Sequence, residues 1–531
     1  MAALLGITLS NSSTVFAATG AAEARVTTAP GACAAGTTVE TASGMVCGTS
    51  RDGSPEWLGL PFAAAPVGNL RWAAPRGIGR WTDVRQATAF GSPCVQGDGT
   101  GAEDCLFLNI TAPRSSTAAS RKNLPVVVQL HPGGFISGSG NADYRRLADT
   151  GTIVVSINYR LGALGFLAAP LLGKDPGDYG LLDQQAALRW VQRNIAMFGG
   201  DRRRVTLMGE SAGGSSVCHQ LVSPSSAGLF QRAISYSGYY NPVTGSATGT
   251  AFPLQLETQD CKSDLPSAAQ AQQKGTDFAR AAGCDTGACL REMSVAAVLK
   301  TAGSGFQYAG GHGTTAPTLN RNILPTTFVA GIRNGSVHRV PVMIGVARDE
   351  NLTGAPTTGA AYRNLVQAQY GAAADAVLKT YRLDHFASPF LAWRTVTADS
   401  NTICPALRVN QSLAQRSPTY AFIMDDPDAT PAAFVPAGMP GGSYHVADWF
   451  LFSEAGLPTA TTANEQVLQQ QELGAVSSFA RTGDPNSNGI PAWPQLRSNG
   501  NLLSLQPGGD SEAVSTSALT AIHNCAFWNG I

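Results

Sequence analysis

The chain has 531 residues, of which 44% are hydrophobic and 14% charged, so it can bury a large core and is not a disordered polymer. Lys+Arg and Asp+Glu are balanced at 36 each, giving a formal net charge of zero. With no basic stripe and no charged tail, neither nucleic acid nor an anionic membrane surface is expected as the main partner.

Residues 2 to 9 are apolar, and the stretch after them is rich in small residues, with Val15-Phe16-Ala17 a candidate cleavage site. Residues 1–25 therefore read as a signal-peptide-like segment, although the first basic residue is only Arg25. Export is the expectation, with residues 26–531 forming a single domain. No other apolar run approaches about 20 residues, so no integral membrane segment is expected.

Regular structure becomes legible from Leu124. "LPVVVQLHPGGF" reads as a buried strand entering a glycine turn, and "GTIVVSINYR" as a second strand. "DYGLLDQQAALRWVQRNIAMFGG" has helical spacing of Leu181, Leu182, Ala186, Leu188, Val191 and Ile195, ending at Gly199-Gly200. "RVTLM" and "FQRAISYSG" are further strands, followed by "VPVMIGVARDE" and "TYAFIMDD". Helical segments are expected over 365–380 and 464–482. Apolar strands alternating with helices predict an α/β fold, a large and mostly parallel central sheet with helices on both faces and long insertions.

Between "RVTLM" and the next helix lies "GESAGG", residues 209 to 214. G-x-S-x-G at a strand-to-helix junction makes a sharp turn that projects the serine from the end of the sheet. Ser211 is thus the candidate nucleophile. A serine needs a base, and the base needs a carboxylate to orient it. In an α/β-hydrolase these follow the serine in the order acid, then histidine, each after a later strand. Of seven histidines, His385, His445 and His523 lie late enough. His445 follows the "TYAFIMDD" strand in a glycine-rich loop and is the strongest of the three. The acid belongs at the end of "VPVMIGVARDEN", where Asp349 and Glu350 are adjacent; spacing does not choose between them. Oxyanion-binding amides belong in "HPGGF" and just after the serine: Gly133, Gly134 and Ala212. Pro132 has no N–H to give.

Ten cysteines, at 33, 47, 94, 105, 218, 261, 284, 289, 404 and 525, fit an oxidising compartment. Proximity pairs Cys33 with Cys47, Cys94 with Cys105, and Cys284 with Cys289. No histidine pair accompanies them at zinc spacing, so no metal and no cofactor is expected.

Together, "EDCLFLNI", "HPGGFISGSG", "VVSINYRLGALGFL", "GESAGG", "VPVMIGVARDEN", "SNTICP", "YHVADWFLF", "FARTGDPN" and "CAFWN" resemble the type-B carboxylesterase family, which includes cholinesterases and fungal lipases. The resemblance runs from about residue 40 to the C-terminus. It implies an α/β-hydrolase acting on a small-molecule ester through Ser211, Glu350 and His445, and so selects Glu350 over Asp349. It places the oxyanion hole at Gly133, Gly134 and Ala212, and implies the bridges Cys94–Cys105, Cys284–Cys289 and Cys404–Cys525. Cys218 and Cys261 are left over, with a free buried thiol and a bridge equally open for Cys218. The departures are Pro132 for the first glycine of the oxyanion motif, Asn351 for glycine after the acid, and Asp448 for glutamate after the histidine. The loop between Cys94 and Cys105 reads "VQGDGTGAED". Cholinesterases carry there a tryptophan that binds quaternary ammonium, and lipases a long apolar lid. The short polar loop implies short to medium soluble or aryl esters instead, with a lipase or sterol esterase acting on long acyl chains as the alternative and a non-catalytic binding module on the same fold as a remote one. Tyr239 and Tyr240, in "SGYYNPVTG", lie where the family shapes its acyl pocket, either lining it or packing beneath it.

Overall fold

Successive side chains of a strand face opposite sides of its sheet, and here both sides are apolar. The computed structural model describes residues 33–114, 121–239, 260–262, 264–303, 313–350, 355–430, 442–447, 452, 462–497 and 500–530. The segment 1–25 and residues Tyr240, Asn351 and Asp448 lie outside them.

Thirteen strands form one sheet in the described residues. They are β1 (Val39–Thr41), β2 (Gly44–Arg51), β3 (Ser54–Pro61), β4 (Arg85–Ala87), β5 (Phe107–Thr111), β6 (Leu124–Leu130) and β7 (Ile153–Ile157). There follow β8 (Gly200–Glu210), β9 (Arg232–Tyr236), β10 (Val342–Ala347), β11 (Thr419–Met424), β12 (Asn501–Leu505) and β13 (Glu512–Ser515). The order is β1-β2-β3-β5-β7-β6-β8-β9-β10-β11-β12-β13, with β4 beside β2. From β7 through β12 every neighbour is parallel. The N-terminal strands and β13 add antiparallel edges. The parallel centre is the one expected from the alternating pattern, and the whole is the α/β-hydrolase fold that the motifs and the resemblance implied; the short antiparallel strands carried too little periodicity to be read in advance.

In β6, Val126, Val128 and Leu130 enter one core cluster and Val127 the opposite one. Helix α1 (Tyr179–Asn194) covers the first face with Leu181, Leu188 and Val191. After the elbow comes α2 (Ala212–Val222). The segment expected as one helix over 365–380 is two, α3 (Gly359–Tyr370) and α4 (Ala374–Thr380), divided at Gly371, whose φ of 51° no α-helix continues. Helix α5 (Ala463–Thr482), capped by a reciprocal Thr462/Glu465 box, covers the second face with Leu468, Leu473, Val476 and Phe479. Burying each such side chain contributes about 1.5–3 kcal/mol, against roughly 0–1 kcal/mol for an exposed ion pair. The two apolar faces therefore fix the sheet, and with it the loops at the C-terminal ends of β6, β8, β10 and β11.

Candidate active site

Those four loops carry the candidate residues. β8 runs between β6 and β9, and its last residue, Glu210, pairs with Tyr236. Ser211 then turns at φ 54°, ψ −121°, outside the helical region, and its N–H is held by the Tyr236 carbonyl at 3.0 Å. Such a conformation in a serine costs about 1–3 kcal/mol and persists only where the surroundings over-determine it. They do so through glycines. A Cβ on Gly209 would overlap the Gly213 carbonyl, and one on Gly213 would overlap the Leu130 carbonyl at the end of β6. Positive φ in non-glycine residues recurs around Ser211, at Phe135, Ser237 and the β-branched Val446. Each lies in a loop at the C-terminal end of a parallel strand.

Glu350 lies just beyond β10 and is fully buried. Its Oε1 accepts the Ala347 N–H at 2.9 Å, and its Oε2 lies 2.6 Å from His445 Nδ1. A carboxylate accepts only, so Nδ1 carries the proton and Nε2 presents a lone pair. Nε2 lies 2.8 Å from Ser211 Oγ. The structure thus brings together Ser211, His445 and Glu350 from three loops far apart in sequence.

Asp349 points elsewhere. Its carboxylate accepts the Ser443 N–H at 3.0 Å, while its own N–H donates to the Ser443 carbonyl at 2.9 Å. It fastens the loop that bears His445 without touching the ring. The other late histidines are elsewhere too: His385 is exposed, and His523 pairs with Asp399 at 2.6 Å.

After β6, the Gly133 carbonyl accepts the N–H groups of Ile136 at 3.1 Å and Ser137 at 3.0 Å, closing a tight turn. In a trans peptide N–H points opposite C=O, so the Gly134 N–H faces away from that turn. The Pro132 carbonyl lies 2.8 Å from Nδ1 of His131, which turns the Gly133 N–H away likewise. Among the described residues neither glycine amide has an acceptor. Ala212 is the first residue of α2, where an N–H has no intrahelical partner. Beneath the turn, His131 stacks on Tyr159 at 4.2 Å, and burial lowers its pKa to about 4, so it supports the loop as a neutral ring.

Two further residues at the site were not singled out from sequence. Glu210, 1% exposed, has Oε1 3.6 Å from His445 Nε2; its place inside "GESAGG" was the available signal. Gln96 grips the turn after β6 from the Cys94–Cys105 loop, and nothing local in the sequence marks it. Tyr239 packs rather than lines: it is fully buried and donates to Asn410 Oδ1 at 2.6 Å. The ten cysteines form Cys33–Cys47, Cys94–Cys105, Cys284–Cys289, Cys404–Cys525 and also Cys218–Cys261, so Cys218 is not a free thiol.

Comparison with known proteins gives the family and the fold. Residues 35–528 match the carboxylesterase family. The chain is 31% identical to the acetylcholinesterase of Bungarus fasciatus over 92% of this chain and 86% of that one. It is 30% identical to the fumonisin B1 esterase of Sphingopyxis macrogoltabida over 88% and 85% respectively. A solved PNB esterase superposes with a TM-score of 0.71 at 28% identity, covering 92% of this chain and 99% of that chain. The chain belongs to the carboxylesterase family and is a carboxylic ester hydrolase.

Proposed function

We propose that the protein hydrolyses short to medium soluble or aryl carboxylic esters through a Ser211-His445-Glu350 triad and an acyl-enzyme intermediate. The observation that carries this reading is the unbroken chain Ser211 Oγ to His445 Nε2 at 2.8 Å, and His445 Nδ1 to Glu350 Oε2 at 2.6 Å.

His445 Nε2 takes the Ser211 proton as Oγ attacks the ester carbonyl, and Glu350 stabilises the imidazolium that forms. The Glu210 carboxylate adds to the negative field around that ring. The tetrahedral oxyanion is met by the amides of Gly133, Gly134 and Ala212, donors already aimed before the reaction begins. His445 returns the proton to the leaving alcohol oxygen as the C–O bond breaks. Water then attacks the acyl-enzyme, with His445 again base and then acid, freeing the carboxylic acid and Ser211.

The short polar Cys94–Cys105 loop supports the preference for soluble esters, since it supplies neither a lid nor an aromatic ammonium site. Five disulfides support export, with residues 1–25 removed and 26–531 acting as one unit. Among the described residues no helix is long and apolar enough to cross a membrane.

The test is turnover on p-nitrophenyl esters from acetate to palmitate, for wild type and Ser211→Ala. The expected result is a maximum at short to medium chains and a loss of roughly 10⁴- to 10⁶-fold in kcat for the variant. A maximum at palmitate would make the protein a lipase. Turnover that survives in Ser211→Ala would end the triad reading.

A further inference from the structure

The Cys94–Cys105 loop closes on itself. The Gln96 N–H donates to the Thr100 carbonyl at 2.8 Å, the Gly99 N–H to the Gln96 carbonyl at 2.9 Å, and the Ala102 N–H to the Pro93 carbonyl at 2.9 Å. Asp98 accepts from both the N–H and the hydroxyl of Thr100 at its tip. A Cβ on Gly101 would overlap the Cys94 carbonyl, so the two limbs are in contact above the disulfide. The loop is rigid and presents two polar side chains outward: Glu103, which pairs with Arg71, and Gln96, which turns toward the segment after β6.

The Gln96 amide bridges to the turn after β6. Its Oε1 accepts the Gly138 N–H at 2.7 Å, and its Nε2 donates to the Gly138 carbonyl at 3.1 Å and the Cys94 carbonyl at 2.6 Å. Beside it the Gly97 N–H donates to the Ile136 carbonyl at 2.9 Å. The far limb of the turn, Ile136 to Gly138, is therefore tied to the disulfide loop. The Ile136 and Ser137 amides hold the Gly133 carbonyl, and that carbonyl sets the direction of the Gly134 N–H across the same peptide. Gly138 itself, at φ 98°, approaches Pro132 and the His131 ring so closely that a Cβ there would overlap the Pro132 carbonyl and the imidazole.

We propose that Gln96 is a positioning residue for ester hydrolysis, holding the Ile136–Gly138 turn so that the Gly134 amide points at the developing oxyanion. This rests on the assignment of Gly133 and Gly134 to the oxyanion hole made above. Gln96 touches no reacting atom; it acts through the backbone. Loss of its amide lets the peptide rotate by a few degrees, which weakens a bond that matters most in the transition state and leaves ground-state binding nearly unchanged.

The experiment measures kcat and KM on p-nitrophenyl butyrate, and the inhibition constant of an alkyl trifluoromethyl ketone, which forms a tetrahedral serine adduct. The proteins are wild type, Ser211→Ala, Gln96→Ala and Gln96→Glu. For Gln96→Ala, kcat should fall about 10- to 100-fold, less than for outright loss of a donor, with KM within about threefold. Ketone affinity should weaken in parallel with kcat/KM. Gln96→Glu keeps the acceptor for Gly138 N–H and regains a donor only when protonated. Its turnover relative to wild type, measured at the same pH, should therefore rise as pH falls from 8 to about 4, through the range in which a glutamate takes up its proton. A Gln96→Ala kcat within threefold of wild type, or a loss of kcat with unchanged ketone affinity, would overturn the proposal. So would a pH-independent Gln96→Glu ratio, which decides the matter if Gln96→Ala does not fold. In each of these cases an inactive Ser211→Ala leaves the triad reading standing; an active one removes both.

Discussion

Among the described residues are two buried histidine–carboxylate pairs of the same length, His445–Glu350 and His523–Asp399, each with Nδ1 2.6 Å from an oxygen. The rings are almost equally buried, at 6% and 8% exposed. They differ in what lies beyond. His445 offers its second nitrogen to Ser211, and the second oxygen of Glu350 is held by a backbone amide. In the other pair the second oxygen of Asp399 accepts the Tyr381 hydroxyl at 2.8 Å, which accepts the Trp528 indole N–H at 2.6 Å. That network sits beside Cys404–Cys525 and fastens the C-terminal helix Cys525–Trp528 to the π-turn Asp399–Ile403. A histidine–carboxylate pair is thus a structural part of general use, and the third partner decides whether it is a site.

The contrast is broken most severely by matched amides. Glu350→Gln should lower kcat by roughly 10³- to 10⁴-fold, because the imidazole is left in the wrong tautomer, while the melting temperature moves by only a few degrees. Asp399→Asn should instead leave turnover per folded molecule within about twofold and cost about 3 kcal/mol in denaturant unfolding, the range for a broken buried pair. An Asp399→Asn enzyme as inactive as Glu350→Gln would show that the second pair is also part of the site.

The disulfides sharpen the same comparison. Replacing Cys404 and Cys525 by alanine opens a separation of 121 residues, and replacing Cys218 and Cys261 one of 43. Loop-closure entropy gives about 5 and about 4 kcal/mol. Only the second change should also reduce kcat, because Cys261 Sγ packs against Gly238 and its N–H donates to the Gly238 carbonyl, directly under the elbow. Equal kcat losses in the two double variants would remove the distinction.

An effect confined to high pH is expected at a third buried carboxylate, which has no histidine. Asp178, at the start of α1, accepts the Thr318 N–H at 3.0 Å through Oδ1, and burial raises its pKa to about 7. The unfolded chain therefore holds fewer protons than the folded one between about pH 4 and 7, so this group's contribution falls as pH rises through that window. Asp178→Asn should match wild type near pH 4 and exceed it at pH 8 by on the order of 2–4 kcal/mol, measured as the difference between their unfolding curves. Asn also tolerates the φ of 52° found there. No gain at pH 8 would mean the carboxylate is neutralised by something other than a proton.

Sequence made the proposed nucleophile and base legible for different reasons. Ser211 stands in a pentapeptide whose glycines answer to one backbone requirement, and strand order restricts the histidine. Asp349 and Glu350 were not separable by spacing, since both follow the same strand and only the tertiary fold turns one toward the ring and the other toward Ser443. Cys218–Cys261 was illegible because its closeness is created by β8 and β9 lying side by side, with no local pattern to mark it. Gln96 was hidden for the same reason: its partner is 42 residues away and is backbone, which any residue type supplies.

The strand order has a consequence for the life of the chain. Ser211 is separated by 234 residues from His445, and the proposed acid and base follow β10 and β11, which lie between β9 and the late strand β12. On the proposed mechanism, a ribosome that has made the elbow has made a serine with no base. Esterase activity then waits for the loop after β11: any nascent or prematurely ended product that stops short of His445 is silent.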